Sequence, residues 1–241
     1  MEALAPKPQV QAVSQPVPQF VKDLLGKNYL GPEIWKKLFG KEVGPVPPLP
    51  AGLTRELLES KCEFYRPGFF DRLLGRTEKK VKDTHLLVFV PAAVDGEAFT
   101  VNKLWDMTKT KGKVFDPKQT WYYKESFANT AYPAGQWVLM PKYLVPGTRG
   151  MDYESQSVEL ARRYPKYITA KALGLITGLV LNNLNGGDNR DFNSKCGWCE
   201  DKIGGARVLA GYFDASGLFV HRYVESDRDA FLGRVAFRNL Q

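Results

Sequence analysis

The chain has 241 residues, 44% apolar and 25% charged, which suits a globular protein with a sizeable core and excludes a disordered or collagen-like chain. Its formal net charge of +8 raises the question of an acidic partner, nucleic acid included. Three cysteines, Cys62, Cys196 and Cys199, are too few for a disulfide scaffold and fit a reducing compartment.

Residues 1–18 are rich in Pro, Gln, Val and Ala, hold no helical or strand period, and read as a flexible tail. Met1 is followed by Glu2 and this run, without the basic start and apolar centre of a secretory leader, so cytoplasmic synthesis is expected. Residues 19–60 read as short helices and a Pro-rich connector. Pro32 opens a helix over residues 33–39 with Gly40 just past its end, residues 45–50 form a stiff connector, and Thr54 caps a helix over residues 55–60. Neither helix is long enough to be stable alone, so both are expected to pack on the main domain or a partner.

The main domain is expected over residues 61–241. Residues 84–90 form a nearly continuous apolar strand, which suggests a central place in a sheet. Thr100 caps an amphipathic helix carrying Val101, Leu104, Trp105 and Thr108, and residues 136–140 form a second strand candidate. Helices are expected over residues 152–164 and 169–181, divided at Pro165; the second is apolar around its circumference and belongs in the core. Its apolar run, near residues 173–181, is too short and interrupted for a membrane span. A Gly- and Asn-rich insertion over residues 182–194 precedes a set of terminal strands. Strand, helices and then clustered short strands indicate an α+β domain.

The terminal stretch, residues 207–238, is the most informative. Val208, Gly211, Phe213, Gly217, Leu218 and Val220 punctuate a polar and aromatic run, and Leu232, Gly233, Val235 and Phe237 close it. The alternation reads as half-buried strands joined at glycine turns. Between the framework positions lies the mixture of aromatics, short polar groups and Arg that suits a binding face. The Gly-x-Phe-x-x-x-Gly-Leu-x-Val framework at Gly211–Val220 and the Leu-Gly-x-Val-Ala-Phe-Arg run at Leu232–Arg238 resemble the variable region of diversity-generating retroelement target proteins. Residues 80–91, with Trp137-Val138-Leu139-Met140 and the run from Val145 to Arg149, extend the resemblance over roughly residues 60–241.

In that family an error-prone reverse transcriptase rewrites the end of the gene, with errors at adenines, and the changed side chains form a ligand-binding surface. The resemblance implies a C-type lectin fold of the formylglycine-generating-enzyme subtype, with residues 86–90 paired antiparallel to residues 234–238. It implies a variable region at about residues 207–238 that meets an unknown protein or other macromolecular ligand, in a bacterial or phage setting. Tyr223, Phe219 and Phe231 would be its anchors, since aromatics bury much area with few rotors to freeze. Arg222 and Arg228 would grip carboxylates or amides, while Asp214, Glu225 and Asp227 would accept from basic ligands. Tyr212, His221 and Ser226 complete the candidate face.

Other constellations carry less. Cys196-Gly197-Trp198-Cys199 has the spacing of a redox pair or half a zinc site, but Cys62, His85 and His221 sit on separate elements, and a structural pair is the reading. Asp188–Asn193 offers oxygen ligands without the spacing of a calcium loop, and turn chemistry explains it. Basic residues cluster at Arg76, Lys79, Lys80 and Lys82, and again between Lys103 and Lys118, whereas residues 207–238 are nearly balanced in charge. A nucleic-acid reader concentrates positive charge on its recognition element, so these clusters read as solvated faces. No catalytic residue, metal or cofactor is expected. The alternatives are a formylglycine-generating-type oxidase, which needs a copper-holding cysteine pair in another context, and a basic nucleic-acid or scaffold-binding protein.

Overall fold

A computed structural model describes residues 16–241. The expected tail therefore lies outside the described residues, apart from residues 16–18. Strand β1 (Tyr29–Leu30) follows helix α1 (Gln19–Leu25) and precedes α2 (Pro32–Phe39) and α3 (Arg55–Glu59). Pro32 sits in the first turn of α2 with Gly40 at its end, and the Thr54 side chain accepts from the Leu57 N–H at the start of α3. These elements share the main core: Val21, Leu30 and Trp35 are fully buried, and Trp35 Nε1 donates to the Phe89 carbonyl at 3.2 Å.

Next come α4 (Phe69–Leu73), a single turn α5 (Val81–Thr84), and strand β2 (His85–Val90), every residue of which is buried. A small ribbon, β3 (Ala93–Val94) with β4 (Glu97–Ala98), leads to α6 (Val101–Thr108), capped by Thr100. Helix α7 (Ser126–Asn129), strand β5 (Gln136–Pro141), helix α8 (Tyr153–Arg163), strand β6 (Tyr167–Thr169) and helix α9 (Ala172–Leu184) follow. The chain ends in β7 (Cys196–Ile203), β8 (Ala206–Asp214), β9 (Gly217–Val224), β10 (Leu232–Arg234) and β11 (Ala236–Arg238). The fold is α+β. Among the described residues no helix is long and apolar enough to cross a membrane.

Two sheets carry the architecture. The first has the order β1-β2-β5-β11-β6 and the second β10-β7-β8-β9. Helix α9 packs against strands of both, and Ala172 through Asn182 are all buried, as an all-round apolar helix requires. The chain changes sheets at Val235, between β10 and β11. There the Val235 N–H donates to the Trp198 carbonyl at 3.4 Å, and its carbonyl accepts from Ala170 at 3.2 Å.

Two expectations are corrected. Residues 86–90 do not pair with residues 234–238. Strand β2 is occupied on one side by β1 and along its whole length on the other by antiparallel β5, from His85↔Pro141 to Val90↔Gln136. β11 lies between β5 and β6, so the opening and closing strands share a sheet with β5 between them. The helix expected at residues 169–181 begins three residues later because residues 167–169 are drawn into the sheet edge, with Ile168 opposite Phe237. Its first turn is capped from a distance: Asp201 Oδ2, on β7, accepts from the Ala172 N–H at 2.6 Å.

Of the framework side chains, Val208, Leu218, Val220, Val235 and Phe237 belong to the main core, while Leu232 lies in a small cluster on the outer side of the second sheet. Val208, Leu218, Val220, Leu232 and Val235 are fully buried, and Phe237 nearly so. Arg234 is also fully buried; its guanidinium donates to the Tyr153 carbonyl and Ser157 Oγ and lies 3.9 Å over the Tyr153 ring.

Candidate ligand-binding face

Period-two alternation divides β9 cleanly. Leu218 and Val220 point into the main core, while Phe219, His221 and Tyr223 point outward and stay half-buried. On the outer side Phe219 and Tyr223 rest on a small cluster of Tyr153, Cys196, Trp198, Leu209 and Leu232. The rings form a ladder. Phe219 stacks on His221 with centroids 5.1 Å apart and planes 7° apart, His221 meets Tyr223 edge-on at 5.3 Å, and Tyr223 meets Phe231 edge-on at 6.3 Å. Burial raises the Tyr223 hydroxyl above its ordinary pKa, with Asp229 adding to the effect, so the phenol remains a neutral donor.

Beside the ladder lies an open hollow of about 470 Å³. Its rings are Tyr212, Phe219, Tyr223 and Phe231, and its carboxylates are Asp116 and Asp214. Cys196, Ser216 and Gly217 complete the wall. Local geometry presents Tyr212: the β8–β9 register shifts between Gly211 and Asp214, and Tyr212 takes φ +51°, a left-handed conformation rare for a bulky residue. The residue is 45% exposed.

Two framework glycines have clear physical reasons. Gly211 has φ +143°, and a Cβ there would lie 2.3 Å from the Lys195 carbonyl oxygen. Gly217 has φ +114°, and its Cβ would meet the Phe115 backbone at 2.6 Å. That second approach brings the loop bearing Asp116 to the site, through the Phe115↔Leu218 bridge and the Asp116 N–H to Leu218 carbonyl bond at 3.2 Å.

Of the candidate face, Tyr212, Asp214, Phe219, Tyr223 and Phe231 meet at the hollow, and His221 extends the ring ladder. Arg222 does not join Tyr223. Alternation sends it to the other side of the strand, where its guanidinium lies 5.3 Å over Trp121 and 3.7 Å from Glu125. Glu225 is held by Arg207 at 2.7 Å, with its carboxyl below the usual range because of that bond. Arg228 pairs with Asp152 at 2.6 Å; Asp152, which also accepts from the Ser155 N–H, is held at about 2 by that bond and by Arg228. Asp227 turns back to accept from the Val224 N–H at 3.2 Å, and Ser226 is exposed in the same turn. Asp116, Cys196 and Ser216 were missed. Asp116 is about a hundred residues from the strands it serves, and no local pattern marks it.

The remaining constellations resolve locally. Cys196 faces the outer cluster and Cys199 the main core, on opposite sides of β7. Burial pushes the Cys196 thiol up to about 12 and Cys199 well above its ordinary value, so both are protonated and poorly nucleophilic at neutral pH. In the Asp188–Asn193 loop, Asp188 accepts from the Arg190 N–H and the Asn193 amide and pairs with Arg190, while Asp191 pairs with Lys195. The basic cluster at Lys79, Lys80 and Lys82 is interleaved with Glu59, Glu78 and Asp83. Among the described residues, no three His, Cys, Asp or Glu side chains gather as a metal site would require. No family model matches the chain, and neither does any curated protein or solved structure.

Proposed function

We propose that this protein is a ligand-binding module whose C-terminal surface is diversified by a retroelement. The observation that carries the reading is the division of β9, where outward Phe219, His221 and Tyr223 alternate with buried Leu218 and Val220. Outward, half-buried residues can be exchanged at a cost of about 1 kcal/mol, whereas truncating a buried Leu costs roughly 3 kcal/mol. A surface built this way can vary while its support does not. The frame is read as a lectin-type α+β fold in which the closing strand reaches the opening strand through β5. The protein acts by binding, and catalysis has no part in this reading.

The DNA flanking the gene tests the proposal. A near-copy of the terminal coding segment beside a reverse-transcriptase gene is expected, differing chiefly at adenines. The differences should fall in the codons of Tyr212, Asp214, Phe219, His221, Tyr223 and Phe231, and spare those of Gly211, Gly217, Leu218, Val220 and Val235. Flanking DNA without such a copy would remove retroelement diversification.

A further inference from the structure

The hollow beside the ring ladder has a charge character opposite to that of the whole chain. Four aromatic rings and two carboxylates line it, and no Lys or Arg does. Asp116 uses Oδ1 to accept from the Lys118 N–H, and Asp214 uses Oδ1 to accept from the Ser216 N–H. Among the described residues neither carboxylate has an ion-pair partner, and neither do Asp227 or Asp229 in the turn leading to Phe231. The cations of the same strands and turn are engaged elsewhere: Lys195 with Asp191, Arg207 with Glu225, Arg222 with Glu125 and Arg228 with Asp152.

Ring faces carry negative quadrupole potential and attract a cation most strongly where water is partly excluded. Uncompensated carboxylates beside them add in the same direction and oppose an anion. We infer that this hollow takes a cationic group, an alkylammonium or guanidinium such as a Lys or Arg side chain of a protein ligand, held over the rings with Asp116 and Asp214 as counter-charges. The inference rests on the proposed binding role and names the chemistry of the ligand. About 470 Å³ accommodates one such side chain.

The test titrates the full-length, ¹⁵N-labelled protein at low salt with choline, n-butylammonium and n-butylguanidinium. 3,3-Dimethyl-1-butanol, the neutral isostere of choline, and butyrate serve as comparisons. The cations are expected to shift the amides of residues 217–223 and 231, with choline bound about tenfold more tightly than its neutral isostere. Asp116→Asn with Asp214→Asn should weaken choline about tenfold and leave the alcohol unchanged, without depending on any change to the rings. Phe219→Ala should weaken both. Equal binding of choline and its isostere, or tighter binding of butyrate, overturns the cation assignment while the binding role stands. Silence of these amides toward every cation also overturns it, and the binding role is then decided separately by the flanking DNA.

Discussion

At single positions, the roles of neighbours in β9 diverge by orientation alone. Tyr223→Ala removes a half-buried ring from the outer cluster and is expected to cost about 1 kcal/mol with the fold retained. Leu218→Ala, five residues earlier, empties a fully buried site and should cost about 3 kcal/mol. Urea unfolding of the two variants checks the contrast; equal losses would mean the ring is as much core as the leucine. Gly217→Ala should be more damaging than its size suggests, because the added Cβ meets backbone at 2.6 Å and φ is +114°. These glycines were legible in the sequence as framework points. Which backbone each one admits was not, because Lys195 and Phe115 come from separate segments.

Elements show how far local signals reach. The N-terminal signals at Pro32, Thr54 and Thr100 all act where the sequence places them, since a cap works within a few residues of itself. Helix α9 starts later than its apolar run implies because residues 167–169 join the sheet edge and its N-terminal partner, Asp201, arrives from β7. Strands β1, β6 and β10 are two or three residues long and are stabilised by neighbours, so no period could announce them. Helix α4 presents the reverse case. Phe69, Phe70, Leu73 and Leu74 are 62–76% exposed, so the apolar spacing there records no burial in the chain itself. Phe70→Ser with Leu73→Ser should alter unfolding stability by no more than ~0.5 kcal/mol, measured by denaturant titration; a loss of several kcal/mol would show that these side chains are packed.

For the molecule as a whole, the two sheets meet through α9 and the crossing at Val235, and buried polar groups set a pH limit. His85 is fully buried, bonded to Thr84 Oγ1 at 3.0 Å and Tyr167 at 3.2 Å, and burial, with the Arg238 charge adding, lowers its pKa to about 3. The unfolded chain takes up this proton near pH 6.5, whereas the folded chain does not until about pH 3. Below pH 6.5 the unfolded state therefore binds more protons, and stability falls with pH by up to ~1.4 kcal/mol per unit from this group. Between pH 6.5 and 5, above the usual carboxylate range, unfolding free energies should decline in the wild type, and the decline should be shallower in His85→Gln. Parallel curves would show that His85 is free to protonate in the folded chain.

Composition, caps and hydrophobic period determined the α+β class, the starts of the capped helices and the buried framework of the terminal strands. All of these rest on interactions within a few residues or on alternation along one strand. Tertiary structure alone decided that β5 would lie between the opening and closing strands and that Asp116 would join Tyr223's hollow. Each of those depends on which edge or face is already occupied by a distant segment, and spacing along the chain carries no record of that occupancy.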